Sequence, residues 1–178
     1  MPQSVTLGDK SFRLYITESR IAEAVKQIAA KINEDYKGKS PLIVPVLNGS
    51  FMFASDLVKQ LTCDCEISFI KASSYSGTSS TGQLTSLIGI NEDIAGKDII
   101  IVEDIIDTGH TLAKILPSIT DLKPASVRVA TLLFKPKALK TEIQIDYVGI
   151  EIANEFIVGY GLDYNGLGRN LKEIYQVI

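Results

Sequence analysis

Tryptophan is missing from this sequence, histidine occurs once and cysteine only twice. A structural zinc site takes four ligands, which Cys63, Cys65 and the distant His110 cannot supply, so two reduced thiols ahead of a strand are expected. A basic excess is also missing: 18 Lys and Arg against 21 Asp and Glu leave a net charge of −3. The densest basic segment, Lys135 to Lys140, holds three lysines, too few to displace counterions from a nucleic-acid backbone. No apolar run approaches the roughly 20 residues a bilayer helix needs, and MPQSVTLGDK lacks the charged-then-apolar profile of an export signal. A cytoplasmic protein that binds neither nucleic acid nor membrane is expected. No GxGxxG follows the first predicted interior strand and no GxxxxGK[ST] occurs anywhere, which removes the usual support for hydride transfer and nucleoside triphosphate hydrolysis. Internal repeats and domain boundaries are absent too, so residues 1–178 read as a single domain.

What is present is an ordinary globular composition, 46% hydrophobic and 22% charged, arranged as alternating strands and helices. Phe12 to Ile16 reads as an extended segment packing on the body. Thr17 can cap a helix in which Ile21, Val25, Ile28 and Ile32 recur at helical spacing until Tyr36. LIVPVL at 42–47 is a buried strand in which Pro45 cannot donate to the ladder. Asn48, Gly49 and Ser50 then turn into a helix, FMFASDLVKQL. Glu66 to Lys71 reads as the next strand. Residues 72–83, ASSYSGTSSTGQ, suit either a lid or a solvated linker. Leu84 to Ile90 can return as a strand, and GKD at 96–98 turns into Ile99 to Val102, β-branched and suited to a strand buried on both faces. A helix over 111–120, with Pro117 at a kink or near its end, and strands at 127–134 and 147–152 complete the alternation. A doubly wound, mainly parallel α/β sheet with right-handed crossovers is the economical architecture.

The chemistry concentrates at residues 99–112, IIIVEDIIDTGHTL. Glu103 and Asp104 follow the apolar run, where two acids are costly to bury without partners. Asp107, Thr108, Gly109, His110 and Thr111 form a turn ahead of an apolar helical run. In open α/β sheets ligands bind outside the carboxyl ends of the strands, with helix N-termini facing phosphates. The carboxylates can accept from ribose hydroxyls, while the turn's amides and the hydroxyls of Thr108 and Thr111 can hold a monophosphate.

The segment VEDIIDTGHTL resembles the phosphoribosyl-pyrophosphate motif of the type I phosphoribosyltransferases, in their hypoxanthine-guanine branch. VLNGSFMFASDL, SSYSGTSSTG, LLFKPK, DYVGIEI and FIVGYGLDYNGLGRNL resemble further blocks of that branch in the same order, from about Phe12 to the C-terminus. The resemblance implies a three-layer fold with a small hood from the N- and C-terminal segments. It also implies a purine-salvage reaction: a 6-oxopurine, hypoxanthine or guanine, and phosphoribosyl pyrophosphate give IMP or GMP and pyrophosphate, with Mg2+. Residue by residue, it implies that Glu103 and Asp104 hold the ribose hydroxyls, directly or through magnesium-bound water. Asp107 would face purine N7 as general base or acid, and residues 108–111 would take the 5′-phosphate. Lys135 would donate to O6, Phe156 would stack on the purine, and the backbone of Ile157 would read its edge. Asp163 resembles a second magnesium position and Arg169 a pyrophosphate contact. Ser74 and Tyr75 match a paired serine and tyrosine of the lid. Without the resemblance, Lys135, Asp163 and Arg169 would read as surface charges and Phe156 as core.

Two positions depart from the pattern. The turn after LIVPVL often carries lysine before its glycine, in a peptide that can be cis, whereas this chain has Asn48. Asn48 and Gly49 keep the amides for pyrophosphate but not the charge, which shifts weight to Arg169 and magnesium. His110 fills a variable slot in the phosphate loop. Two other readings stay open here: a xanthine-preferring enzyme, and a nucleotide-sensing regulator of the same fold, for which the acidic single domain offers no basic surface. The family commonly forms homodimers or homotetramers.

Overall fold

The computed structural model describes residues 3–71 and 93–178. The loop expected at 72–83, with Ser74 and Tyr75, and the strand expected at 84–90 lie outside them. The chain opens with β1 (Ser4–Leu7), β2 (Lys10–Ile16) and α1 (Glu18–Asp35), followed by β3 (Leu42–Leu47) and α2 (Phe51–Val58). It continues through β4 (Glu66–Ile67), β5 (Ile70–Lys71), β6 (Asp98–Ile106) and α3 (His110–Thr120). The last elements are β7 (Ser126–Phe134), β8 (Tyr147–Glu151), β9 (Ile157–Val158) and β10 (Ile174–Val177).

The described strands of the main sheet lie in the order β4-β3-β6-β7-β8, with β5 also on β3, and every pairing is parallel. Alternate side chains go to opposite faces. Ile43, Ile100 and Val102 join a core with α1 and α2, while Leu42, Val44, Ile99 and Ile101 join one with Leu112, Ile115 and Ile119 of α3. Burial on both faces is why these strands are continuously apolar. A second sheet, β1-β2-β10-β9, is antiparallel and brings the two ends of the described chain together. This is the expected three-layer fold with its hood.

Local chemistry sets the boundaries. Thr17 caps α1 by accepting from Arg20 N at 3.3 Å. α2 stops at Val58, short of the expected Leu61, where Asn33 of α1 captures the chain: its amide donates to Gln60 O at 3.0 Å and accepts from Thr62 N at 2.8 Å. The strand expected over 66–71 is split. Ser68 N donates to Ile43 O at 3.0 Å, so two residues on, the nitrogen of Pro45 faces the same neighbour without a proton and the ladder breaks there. β6 runs on through Glu103 and Asp104 to Ile106 instead of ending at Val102, because β7 keeps pairing with it, Glu103 with Thr131 and Ile106 with Phe134. The two cysteines are free thiols ahead of β4, half-buried against the α1 and α2 core. Among the described residues no helix is long and apolar enough to cross a membrane.

Candidate active site

β6 delivers its two acids to the end of the sheet where the turn into α3 begins. Glu103 is 6% exposed and Asp104 is partly buried beside it. Burial, and then the charge of Asp104, push the Glu103 carboxyl well above the ordinary range. Asp104 is pushed up to about 6, chiefly by burial, against the opposing effect of an amide bond from Ile105 N at 2.8 Å. Neither acid has an ion-pair partner among the described residues. Two uncompensated carboxylates in one recess favour a cation or a set of hydroxyl donors.

Gly49 sets how close the opposite wall can come. A Cβ there would lie 1.6 Å from Asp104 Oδ2, and one on Gly161 would lie 2.0 Å from Gly49 O. Three segments thus meet where only glycine fits. Ser50 anchors the turn from behind, donating to Val46 O at 2.6 Å. The cis peptide of this turn is Leu47–Asn48.

After β6 the phosphate-loop candidate closes on Gly109, whose φ of +80° makes it the N-cap of α3, with no side-chain cap. The helix therefore begins at His110, one residue earlier than expected, and a glycine instead of a hydroxyl stands at its cap. Ala113 N donates back to Gly109 O, which leaves the amides of residues 110–112 without helical partners. His110 N reaches Thr108 Oγ1 at 3.5 Å, and amides at the positive end of a helix dipole form an anion site. The loop is braced from the segment after β7, where Lys140 N and Thr141 Oγ1 donate to Thr108 O.

Two cavities share Gly49, Asp104, Ile105 and Asp107. The first, about 430 Å3, is lined by Glu103, Asp104 and the whole turn from Asp107 to Thr111, with Lys114 added. The second, about 250 Å3, gathers Asp107, Lys135, Phe156, Ile157, Asp163 and Arg169. Every described candidate from the sequence therefore lines one cavity or the other except Asn48, which is exposed in the turn beside Gly49.

Lys135 is not the solvated residue its composition suggests. It is 6% exposed, and its Nζ donates to Asp107 Oδ2 at 2.9 Å. Phe156 is not core: it is 47% exposed. Arg169 forms an ion pair with Asp163 and donates to Gly161 O at 2.7 Å. Gly161, Leu162 and the bracing Thr141 were not apparent from sequence. They act through backbone approach and packing, and no residue type announces that. A base-sized pocket, a carboxylate-ammonium pair at its mouth, two buried acids and a helix-end anion site can together take a purine, a sugar and a phosphate in line.

Comparison with known proteins agrees with this geometry. The phosphoribosyl transferase domain family model matches residues 15–165. A hypoxanthine-guanine phosphoribosyltransferase of Streptococcus pneumoniae is 42% identical over 163 residues, 91% of each chain, and one of Staphylococcus aureus is 42% identical over 160 residues, 89% of each. A crystal structure of a hypoxanthine-guanine phosphoribosyltransferase from Bacillus anthracis superposes with a TM-score of 0.86 at 42% identity, covering 93% of this chain and 98% of the other. A ternary substrates complex of a Trypanosoma cruzi hypoxanthine phosphoribosyltransferase variant gives 0.85 at 37% identity, covering 93% and 94%.

Proposed function

Since the chain belongs to the phosphoribosyltransferase family, on its hypoxanthine-guanine branch, we propose that it salvages purines by moving 5-phosphoribosyl from phosphoribosyl pyrophosphate to N9 of hypoxanthine or guanine, giving IMP or GMP and pyrophosphate. The observation that carries this reading is the Lys135–Asp107 pair, 2.9 Å long and set where the base-sized cavity opens into the acidic recess.

In this reading the base lies against Phe156, with the Ile157 backbone at its edge. The Lys135 ammonium, a donor only, accepts a 6-oxo group and disfavours a 6-amino group, which presents donors of its own. Asp107, between base and sugar, takes the purine proton at N7 as the N9 electron pair attacks C1′. The bond from C1′ to the pyrophosphate oxygen breaks, and that oxygen leaves with the bonding electrons. Glu103 and Asp104 orient the ribose hydroxyls, and the amides and hydroxyls of Thr108, Gly109, His110 and Thr111 hold the 5′-phosphate. Arg169, with the amides of Asn48 and Gly49, faces the pyrophosphate.

Magnesium suits the donor set. Mg2+ characteristically takes one or two carboxylates and completes its shell with substrate phosphates and water. The recess offers one buried and one partly buried carboxylate, neither in an ion pair, while among the described residues no cluster of three or more side chains makes a self-sufficient metal cage. Glu103 and Asp104 would hold one ion and Asp163 a second, and bound magnesium would supply neutralisation of the donor's pyrophosphate charge.

The same reading treats residues 1–178 as one cytoplasmic domain acting as a homodimer or homotetramer, for which exposed Phe51, Ile67 and Phe69 supply apolar surface. The test is direct: IMP formation from hypoxanthine and phosphoribosyl pyrophosphate with Mg2+, in competition with guanine, xanthine and adenine. Turnover of the 6-oxopurines with adenine rejected is the expected result. No turnover of any 6-oxopurine overturns it.

A further inference from the structure

The loop between β9 and β10 carries Tyr164 between Asp163 and Arg169, and the site described above makes no use of it. Its ring has four neighbours, one of them the buried Phe12, at 6.1 Å and 56°. The hydroxyl donates to Asp9 Oδ1 at 2.7 Å, Lys10 Nζ lies 5.5 Å from the ring centroid, and the ring meets Phe156 edge-on, at 5.9 Å and 86°. Asp9 lies with Gly8 at the tip of the β1–β2 hairpin, and Lys10 opens β2 beside it. That tip is seated on the loop: a Cβ on Gly168 would lie 2.7 Å from Leu7 Cδ1. The Tyr164 hydrogen bond holds the Asp9 carboxyl below the usual range, so at neutral pH the tip presents a carboxylate acceptor.

An aromatic ring as exposed as Phe156 exchanges rotamers on the picosecond to nanosecond scale unless something braces it. Phe12, fully buried, touches it at 6.2 Å and 37°, and Tyr164 adds the perpendicular contact that aromatic quadrupoles favour. A platform held in its bound orientation before the base arrives spares the ordering cost of binding. We propose that Asp9 and Tyr164 are positioning residues of the purine site: the hairpin tip fixes the Tyr164 ring, and that ring fixes Phe156 for stacking. The proposal rests on the assignment of Phe156 as the platform.

The test is steady-state kinetics on Asp9→Ala, Tyr164→Phe and the double variant, each repeated in a Phe156→Ala background, with Asp9→Asn as the variant that retains an acceptor. KM for hypoxanthine should rise about three- to tenfold in each single variant, the range one hydrogen bond spans. It should rise no further in the double variant and return most of the way with Asn. KM for phosphoribosyl pyrophosphate and kcat should stay put, a split that general loosening of the fold would not produce. In the Phe156→Ala background the same changes should have no effect on either KM. An unchanged hypoxanthine KM in the single variants, or both KM values rising together, overturns the proposal. Should Phe156→Ala itself leave the hypoxanthine KM unaltered, the platform assignment falls and this inference falls with it.

Discussion

Asp107 keeps 43% of its side chain exposed while the side chain of Lys135 keeps 8%, an asymmetry that says which partner is fixed and which can turn to the substrate. In the proposed reaction Lys135 would be the anchored reader of the base and Asp107 the group free to follow a proton. Asp107→Asn preserves shape and removes proton acceptance, so kcat should fall by about 10² to 10⁴ with both KM values changed little, read by steady-state assay. Asp104 supports a prediction of the opposite sign for stability. Its pKa, raised to about 6 by burial, means that the folded state binds its proton more tightly than the unfolded chain does. The contribution to stability is therefore full below the ordinary carboxylate pKa and is lost as pH rises through about 6. Asp104→Asn should stabilise the ligand-free protein at pH 7.5 by about 1–2 kcal/mol, and the gain should shrink as the pH is lowered toward 5, as thermal denaturation would show. Activity should fall, since the proposed reaction sets the same carboxylate on the ribose. Residue types in order made Glu103, Asp104 and Asp107 legible from sequence. The burial of Lys135 was not, because it depends on Ile106, whose carbonyl accepts from Lys135 N at 2.9 Å only once β6 and β7 are paired.

Elements were legible where one periodicity ran without interruption, as in α1, β3 and β7. They were misread where a residue from elsewhere cut them short: Asn33 ending α2, and Pro45 splitting the edge strand into β4 and β5. Both act across chain segments, and local pattern carries no trace of that. The turn between β3 and α2 depends on such a cross-segment fit. With Gly49 facing Asp104 Oδ2 and Gly161 facing Gly49 O, a methyl group at 49 has to push the Asp104 carboxylate aside. Gly49→Ala should raise KM for phosphoribosyl pyrophosphate by about tenfold or more, the scale of 1.4 kcal/mol, and should cost about 1–3 kcal/mol of stability from overpacking, measured by inhibition kinetics and denaturant unfolding on the same preparation.

Across the whole molecule, chemistry is divided between two sheets. The parallel body supplies the acids, the phosphate loop and Lys135, and the antiparallel hood supplies Phe156, Asp163 and Arg169. β10 holds the hood together, lying between β2 and β9 and donating from Val177 N to Phe156 O at 3.0 Å. Deleting residues 174–178 should abolish measurable hypoxanthine binding by calorimetry while leaving a folded body with a lowered cooperative transition, because the body's core clusters draw only Ile174 from β10. β10 follows every other element in chain order, and its partner β2 comes near the start: Arg13 and Gln176, 163 positions apart, are neighbours. On the ribosome, therefore, the hairpin waits without its partner strand through the synthesis of every described residue assigned to the sugar and phosphate. A chain made only as far as Arg169 would carry the groups assigned to sugar and phosphate but not the strand that holds the Phe156 backbone in place.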